Sequence, residues 1–178
     1  MQEHTILDET DIPAVIRRLA AQILERHGDA PLAVVGIRTR GVTLADRLVQ
    51  ELQRHRGDVD RGTLDISLYR DDLDNLAALP HVEGSDISFD IEGARIILCD
   101  DVLFTGRTIR AAMNVLLDYG RPERIELAVL ADRGHRELPI AATYTGVTVD
   151  TRHDDYLRVH FTETDREDRV IHYTPEAS

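Results

Sequence analysis

The sequence has little of several features that define whole classes of protein. Its 178 residues include one cysteine, no tryptophan and no lysine, and only 4% of them are aromatic. One cysteine cannot build the disulfide framework of a small secreted fold. No apolar stretch at the N-terminus reaches the length of a signal peptide or a membrane span. These absences predict a reduced, cytoplasmic protein with no membrane partner.

Negative charge is in excess, with 33 acidic residues against 21 basic ones and a formal net charge of -12. This balance argues against generic attraction to nucleic acid, which depends on basic side chains. Because every basic residue is arginine, the sequence instead favours bidentate contacts with phosphate or carboxylate. The eight histidines lack metal-ligand spacing, so a structural zinc site is not expected.

The chain has the length of one domain with a three-layer core, and no linker or repeat divides residues 1–178. Apolar runs at residues 32–37, 96–99 and 124–131 predict buried parallel strands. After each of the first two runs, apolar residues recur at the spacing of one face of a helix. Strands alternating with helices predict an α/β fold with a central, mostly parallel sheet flanked by helices.

The ends of the chain carry less regular signals. Residues 4–9 are expected to form an edge strand, after which Thr10 or Asp11 caps a helix. Alternation predicts another strand over residues 63–69. Near the C-terminus, two antiparallel strands joined by a charged turn at residues 163–168 are expected to extend the sheet.

The clearest ligand-site signal is the segment 96–108, in which a buried strand leads into Asp100, Asp101 and a small-residue turn. The turn runs from Thr105 to Thr108 and opens a helix, so its amides, hydroxyls and helix dipole suit a phosphate monoester. Adjacent carboxylates accept hydrogen bonds from a diol or hold a hydrated Mg²⁺. A phosphate beside a diol describes a ribose 5-phosphate. The alternative is a capped helix that follows a solvated acidic pair.

Two further segments have the character of ligand loops. Residues 38–41 form a polar, glycine-containing turn at the same sheet edge, which indicates an anion site or else an ordinary strand-to-helix connection. Residues 70–86 lose periodicity, and we interpret them as a flexible lid that excludes water from the reaction. Arg70 at its base either faces the ligand or pairs with Asp71 or Asp72.

These segments resemble a known family. Residues 96–108 are similar to the phosphoribosyl pyrophosphate signature of type I phosphoribosyltransferases. Residues 36–41, 67–73 and 131–140 resemble the pyrimidine-operon attenuator family, whose members also act as uracil phosphoribosyltransferases. The similarity covers Ile6 to Tyr173. It implies the type I phosphoribosyltransferase fold, transfer of a phosphoribosyl group to uracil with release of pyrophosphate, and assembly as a homodimer or a dimer of dimers.

The resemblance also assigns roles to residues. Asp100 and Asp101 would hold the ribose hydroxyls, and the turn of Thr105 to Thr108 the 5-phosphate. Thr39, Arg40 and Arg70 would attend the pyrophosphate together with Mg²⁺, which the substrate itself mainly holds, with Asp100 and Asp101 as the side-chain candidates. The full substrate-binding set comprises Thr39, Arg40, Asp100, Asp101, Val102, Leu103, Phe104, Thr105, Gly106, Arg107, Thr108 and Arg133.

The base specificity follows from a departure within the signature. Related purine enzymes carry an acid just before the Thr-Gly pair, whereas this chain has Phe104, so a purine substrate is less favoured. Either Asp132 or solvent would accept the proton that uracil loses.

A second function is implied by the same resemblance. Members of the family bind pyrimidine-operon leader mRNA and sense UMP or UTP in the nucleotide site. The candidate RNA contacts are Arg17, Arg18, His135, Arg136 and Arg152. A phosphoribosyltransferase without RNA regulation and a purine enzyme are the alternatives.

Overall fold

A computed structural model describes residues 1–69 and 84–175. In chain order its elements are β1 (Gln2–Leu7), α1 (Asp11–His27), β2 (Leu32–Ile37), α2 (Arg40–Gln53), β3 (Val59–Leu64), β4 (Arg95–Leu103), α3 (Arg107–Tyr119), β5 (Arg124–Asp132), β6 (Tyr144–Thr148), β7 (Tyr156–His160), the helical turn α4 (Thr162–Asp165) and β8 (Arg169–Thr174). None of the helices in these described ranges is long and apolar enough to cross a membrane.

Five strands form one parallel sheet in the order β3-β2-β4-β5-β6. All six residues of β2 are buried, as expected of a central strand that helices cover on both faces. Along β4, Ile97 and Cys99 pack with α1 and α2, whereas Ile96 and Leu98 pack with α3 on the opposite face. The predicted three-layer α/β core and the burial of Cys99 are therefore confirmed.

The remaining strands form a separate antiparallel sheet in the order β1-β8-β7. The prediction that the C-terminal strands extend the central sheet is therefore wrong. The small sheet instead joins the core through side chains, because Val159, Phe161 and Val170 are buried against residues of α1 and α2. This placement sets the small sheet beside the carboxyl end of β4, which β7 contacts.

Two local predictions also need correction. The third strand begins at Val59 and ends at Leu64, because Asp65 accepts hydrogen bonds from the backbone N–H and hydroxyl of Ser67 and turns the chain. Thr10 stands at the N-cap position of helix α1, as predicted, but its side chain makes no capping hydrogen bond, and the Asp8 carboxylate supplies the cap instead. The Asp8 carboxylate accepts from the Asp11 N–H at 3.1 Å, and the Asp11 carboxylate accepts from the Asp8 N–H at 3.0 Å.

The predicted lid lies mostly outside the described residues, which resume at Gly84. Arg70 lies outside them as well. The described end of the segment is tied to the sheet, because Thr63 and Asp86 exchange backbone hydrogen bonds of 2.8 Å.

Candidate functional site

The site lies where the strand order of the central sheet reverses. From β2 the chain continues to β3 on one side, whereas from β4 it continues to β5 on the other. The loops that follow β2 and β4 therefore diverge and leave a crevice at their carboxyl ends, the usual ligand position in open α/β sheets. Residues 38–41 and 104–106 flank this crevice.

Two glycines bring the first of these loops close to β4. A Cβ atom on Gly41 would lie 2.5 Å from the carbonyl oxygen of Cys99, and one on Gly36 would lie 2.5 Å from the Cα of Val42. Only glycine allows such backbone approach. The start of α2 therefore packs directly against β4 at Cys99 and Asp100. The Arg38–Thr39 peptide bond in this loop is cis.

In the acidic pair, Asp100 is buried and Asp101 is half-buried, so neither carboxylate is fully solvated. Asp100 is 7% exposed, and its carboxylate accepts a 3.0 Å hydrogen bond from the backbone N–H of Asp101. Burial, together with the adjacent Asp101 charge, raises the pKa of Asp100 well above its usual value. Burial also raises the pKa of Asp101. Two poorly hydrated carboxylates in contact gain from a ligand that offers hydroxyl donors or a cation.

The opposite wall of the crevice comes from the small sheet. Arg40 donates from Nε at 3.2 Å and from Nη2 at 2.7 Å to the two carboxylate oxygens of Asp165. Both side chains border a cavity of about 360 Å³ that Asp101 also lines, together with Leu157, Arg158, Val159 and His160. The cavity therefore combines guanidinium groups with carboxylates beside the ligand loop of β2.

The predicted phosphate turn has the local geometry of a helix start. Gly106 has φ 92°, a left-handed conformation that favours glycine, and α3 begins at Arg107. The carbonyl oxygen of Thr105 accepts from the N–H groups of Glu137 and Leu138 at 3.0 and 3.2 Å. The turn is therefore held by the loop that follows β5, while the first amides of α3 have no acceptor within the helix.

Beside this turn lies a cluster of rings. The Arg133 guanidinium lies 4.1 Å from the centroid of the Phe104 ring, and the rings of His135 and His153 lie 6.0 and 5.6 Å from it. Arg133 is buried and donates from Nη2 to the carbonyl oxygen of Arg152 at 2.9 Å. Desolvation lowers the pKa of Arg133. This arrangement provides flat apolar surface with polar edges beside the phosphate turn.

Arg136 holds the loop after β5 together. It donates to the carbonyl oxygens of Phe104 at 2.7 Å and Ile140 at 2.9 Å, and it pairs with the Asp132 carboxylate. Asp132 also accepts from the N–H of Gly134 at 2.9 Å. Both side chains therefore act within the protein, and Asp132 is less available as a base than the sequence suggested.

The structure distributes the sequence-predicted residues over three groups. Arg40 and Asp101 meet in the crevice, Asp100 lies buried next to Asp101, and Phe104 to Thr108 form the turn that follows. Of the candidate RNA contacts, Arg18 donates to the carbonyl oxygens of Thr145 and Gly146. His135 bonds the carbonyl oxygen of Thr151 at 2.7 Å. Only Arg17 and Arg152 are highly exposed and show no such side-chain contact in the described part of the chain.

Sequence reasoning missed Asp165 and the wall formed by β7. The only signal was the charged turn at residues 163–168, which carries no spacing that distinguishes a site residue from a solvated one. The pairing of Asp165 with Arg40 spans 125 residues and depends on the docking of the small sheet.

Comparison with known proteins agrees with this geometry. The family model of the phosphoribosyl transferase domain matches residues 3–160. The chain is 48% identical to the bifunctional protein PyrR of Deinococcus radiodurans over 174 residues, which cover 97% of this chain and 95% of that protein. It is 47% identical to the bifunctional protein PyrR of Bacillus cereus, over 97% of this chain and 99% of that protein.

Solved structures share the fold at low identity. A hypoxanthine-guanine phosphoribosyltransferase from Bacillus anthracis superposes with a TM-score of 0.73 at 18% identity, over 97% of this chain and 98% of that one. A hypoxanthine phosphoribosyltransferase from Trypanosoma cruzi gives a TM-score of 0.74 at 19% identity, over 97% and 95% of the two chains. At these identities the likeness establishes the fold alone.

Proposed function

Because the chain belongs to the phosphoribosyl transferase domain family, and within it to the family of bifunctional PyrR proteins, we propose that it transfers the phosphoribosyl group of phosphoribosyl pyrophosphate to uracil. The bond from the anomeric carbon to pyrophosphate breaks, a bond to N1 of uracil forms, and the N1 proton leaves to a base or to solvent. The products are UMP and pyrophosphate.

One observation carries the proposal most directly: a pair of adjacent carboxylates, buried at Asp100 and half-buried at Asp101, next to a helix-opening Thr-Gly turn. Asp100 and Asp101 would accept hydrogen bonds from the two ribose hydroxyls, which replace the lost hydration of the carboxylates. The amides and hydroxyls of Thr105 to Thr108 would bind the 5-phosphate at the positive end of α3. Binding both ends of the sugar fixes the anomeric carbon between the pyrophosphate and the base.

The leaving group would lie toward the loop after β2. Arg40 and Thr39 are the described candidates there, and the guanidinium of Arg40 can stabilise the charge that develops as pyrophosphate departs. Displacement at an anomeric carbon passes through an oxocarbenium-like state, so no nucleophilic side chain is required. The residues bind, orient and exclude water.

A magnesium ion fits the donor chemistry, because Asp100 and Asp101 supply the carboxylate oxygens that Mg²⁺ prefers. Within the described ranges, no group of three or more His, Cys, Asp or Glu is arranged to hold a metal. The substrate's phosphates and hydroxyls would therefore complete the coordination. When bound, the ion would offset the negative charge of the pyrophosphate.

Uracil would lie beside Phe104, within reach of the ring cluster and the loop after β5. Phe104 occupies the position that in related purine enzymes carries an acid. It packs under Arg133, and its carbonyl oxygen accepts from Arg136. The flat surface it offers suits a base, but it cannot exchange a proton with a purine ring.

The second proposed function is RNA binding. The relatives are named as bifunctional proteins, and the resemblance of residues 131–140 to the attenuator family supports leader mRNA as the partner. Of the exposed candidates, Arg17 and Arg152 are the ones whose side chains make no hydrogen bond within the described residues, whereas Arg18 donates to two carbonyl oxygens. Binding would depend on UMP or UTP in the nucleotide site.

The enzyme proposal is tested by incubating the protein with uracil, phosphoribosyl pyrophosphate and Mg²⁺ and measuring UMP by chromatography. UMP formation that requires all three components supports the proposal. If the protein binds phosphoribosyl pyrophosphate but forms no UMP, the donor substrate is correct and uracil is not the acceptor.

A further inference from the structure

Helix α2 binds the α4 turn and the residues just after it through two arginines. Arg40 and Arg47 are seven residues apart on α2, two helical turns, so both side chains project from the same face. Arg40 binds Asp165, and Arg47 binds Glu163 and Asp168. The two contacts are chemically alike, but their positions relative to the crevice differ.

The Arg47 contact is structural. Its side chain is 16% exposed, pairs with Asp168 at 2.6 Å and lies 4.8 Å from the centroid of the buried Phe161 ring. Arg47 does not line the crevice cavity. This contact therefore fixes the α4 turn on the helix whether or not ligand is present.

The Arg40 contact belongs to the cavity. Arg40, Asp101 and Asp165 all line it, and the Arg40 side chain keeps 38% of its surface exposed. Asp165 accepts hydrogen bonds from Nε and Nη2 of Arg40. Because the guanidinium is planar, these two bonds also fix the direction of its third nitrogen, Nη1.

Asp165 is itself held in place. One of its oxygens, Oδ2, accepts from the backbone N–H of Phe161 at 3.1 Å and from the Thr164 hydroxyl at 2.7 Å. The Arg40 hydrogen bond lowers the pKa of Asp165 further below its usual range, so the carboxylate stays ionised across the pH range of an enzyme assay. A carboxylate that two groups other than Arg40 hold in place can orient a flexible arginine.

We propose that Asp165 is a positioning residue, which holds the Arg40 guanidinium ready for the pyrophosphate group of the substrate and of the product. The inference rests on the proposed phosphoribosyl transfer. It assigns to the α4 turn a task that neither the phosphate turn nor the acidic pair performs. An arginine already ordered loses less side-chain entropy when the anion binds.

The test compares Asp165→Asn with Glu163→Gln by calorimetric titration of three ligands: phosphoribosyl pyrophosphate, inorganic pyrophosphate and UMP, each with Mg²⁺. UMP has a 5-phosphate and no pyrophosphate. For Asp165→Asn we expect about tenfold weaker binding of the two pyrophosphate-containing ligands, with UMP within about twofold of wild type. Glu163→Gln, which alters only the Arg47 contact at its exposed rim, should bind all three as wild type does.

A second variant separates positioning from general stability. Arg40→Lys keeps the charge but lacks the planar fork, so adding Asp165→Asn to it should weaken pyrophosphate binding by less than it does in the wild-type background. Additive losses would overturn the proposal. So would an equal loss of UMP binding, which would make Asp165 merely structural, or tighter pyrophosphate binding, which would make it a competitor for Arg40. Wild-type protein that binds none of the three ligands would instead refute the proposed function itself.

Discussion

The two adjacent aspartates are the residues on which the account depends most. A buried carboxylate is unfavourable in the free protein, and the structure gives Asp100 one backbone donor and an acidic neighbour. The desolvation cost of this carboxylate is therefore offset when a diol donates hydrogen bonds to it or a cation binds it. The pair could be predicted from the sequence but the burial of Asp100 could not, because that burial depends on the start of α2, which packs over β4.

Replacement of Asp100 or Asp101 by Asn is expected to lower kcat/KM for UMP formation at least about a hundredfold, since the sugar is no longer fixed. The fold should be retained, which circular dichroism checks. Wild-type turnover in both variants would refute the ribose assignment.

The Asp100 change should also alter stability with pH in a defined direction. Burial in the folded protein raises the pKa of this carboxyl well above its usual value. The contribution of Asp100 to the free energy of unfolding is therefore fully present below its usual pKa, and it is lost as the pH rises through the raised pKa of the folded state. Asp100→Asn should remove this loss, so urea denaturation at pH 5 and pH 8 should show a smaller decline in the free energy of unfolding than in wild type. An identical decline would show that Asp100 titrates normally.

At the phosphate turn, Thr105→Val should weaken phosphoribosyl pyrophosphate and UMP about equally, by roughly five- to tenfold, because both carry a 5-phosphate and lose one hydroxyl contact. Titration of each ligand measures the effect. Weakening of one ligand alone would mean that the turn does not hold the shared phosphate.

At the scale of elements, the strand-loop-helix units were predictable and their junctions were not. The apolar run at residues 96–99 and the helical stripe after it are local patterns, and both elements are present. The predicted end of the third strand was wrong, because the chain turns where the Asp65 side chain accepts a hydrogen bond and not where the hydrophobic alternation stops. The docking of the small sheet escaped prediction because β1 and β8 pair across nearly the whole chain.

The close approach of α2 to β4 provides a test at this scale. Gly41→Ala would place a methyl group against the Cys99 carbonyl, so the start of α2 must shift and Arg40 with it. We expect a loss of about 1 to 3 kcal/mol in the free energy of unfolding and weaker pyrophosphate binding.

Gly57→Ala is the matched control, because no atom lies within 4 Å of the added methyl group. Its stability should stay within about 1 kcal/mol of wild type. Equal behaviour of the two variants would show that the Gly41 contact does not position the loop.

At the scale of the whole molecule, an acidic chain can bind RNA only through a local basic surface. The structure engages Arg136 and Arg18 in internal hydrogen bonds, so removal of Arg136 would disturb the loop that supports Phe104. Exposure could not be read from the sequence, because arginines look alike there whether they bind a carbonyl oxygen or point into solvent.

Removal of Arg17 and Arg152 together is therefore expected to weaken binding of the protein's own pyrimidine-operon leader RNA more than about tenfold at fixed salt, with uracil transfer kept. Arg95 and Arg121, replaced together by Ala, change the net charge equally at the opposite end of the sheet. That control should retain RNA affinity. Equal losses in both double variants would indicate only a charge effect.

Uracil transfer is distinguished from purine transfer by an assay with a panel of bases. Purified protein is assayed with phosphoribosyl pyrophosphate, Mg²⁺ and equal concentrations of uracil, hypoxanthine or guanine, and nucleotide and pyrophosphate are measured. We expect UMP formation with uracil and little or no nucleotide from either purine, because Phe104 replaces the acid that purine enzymes carry. Formation of IMP or GMP without UMP would contradict it.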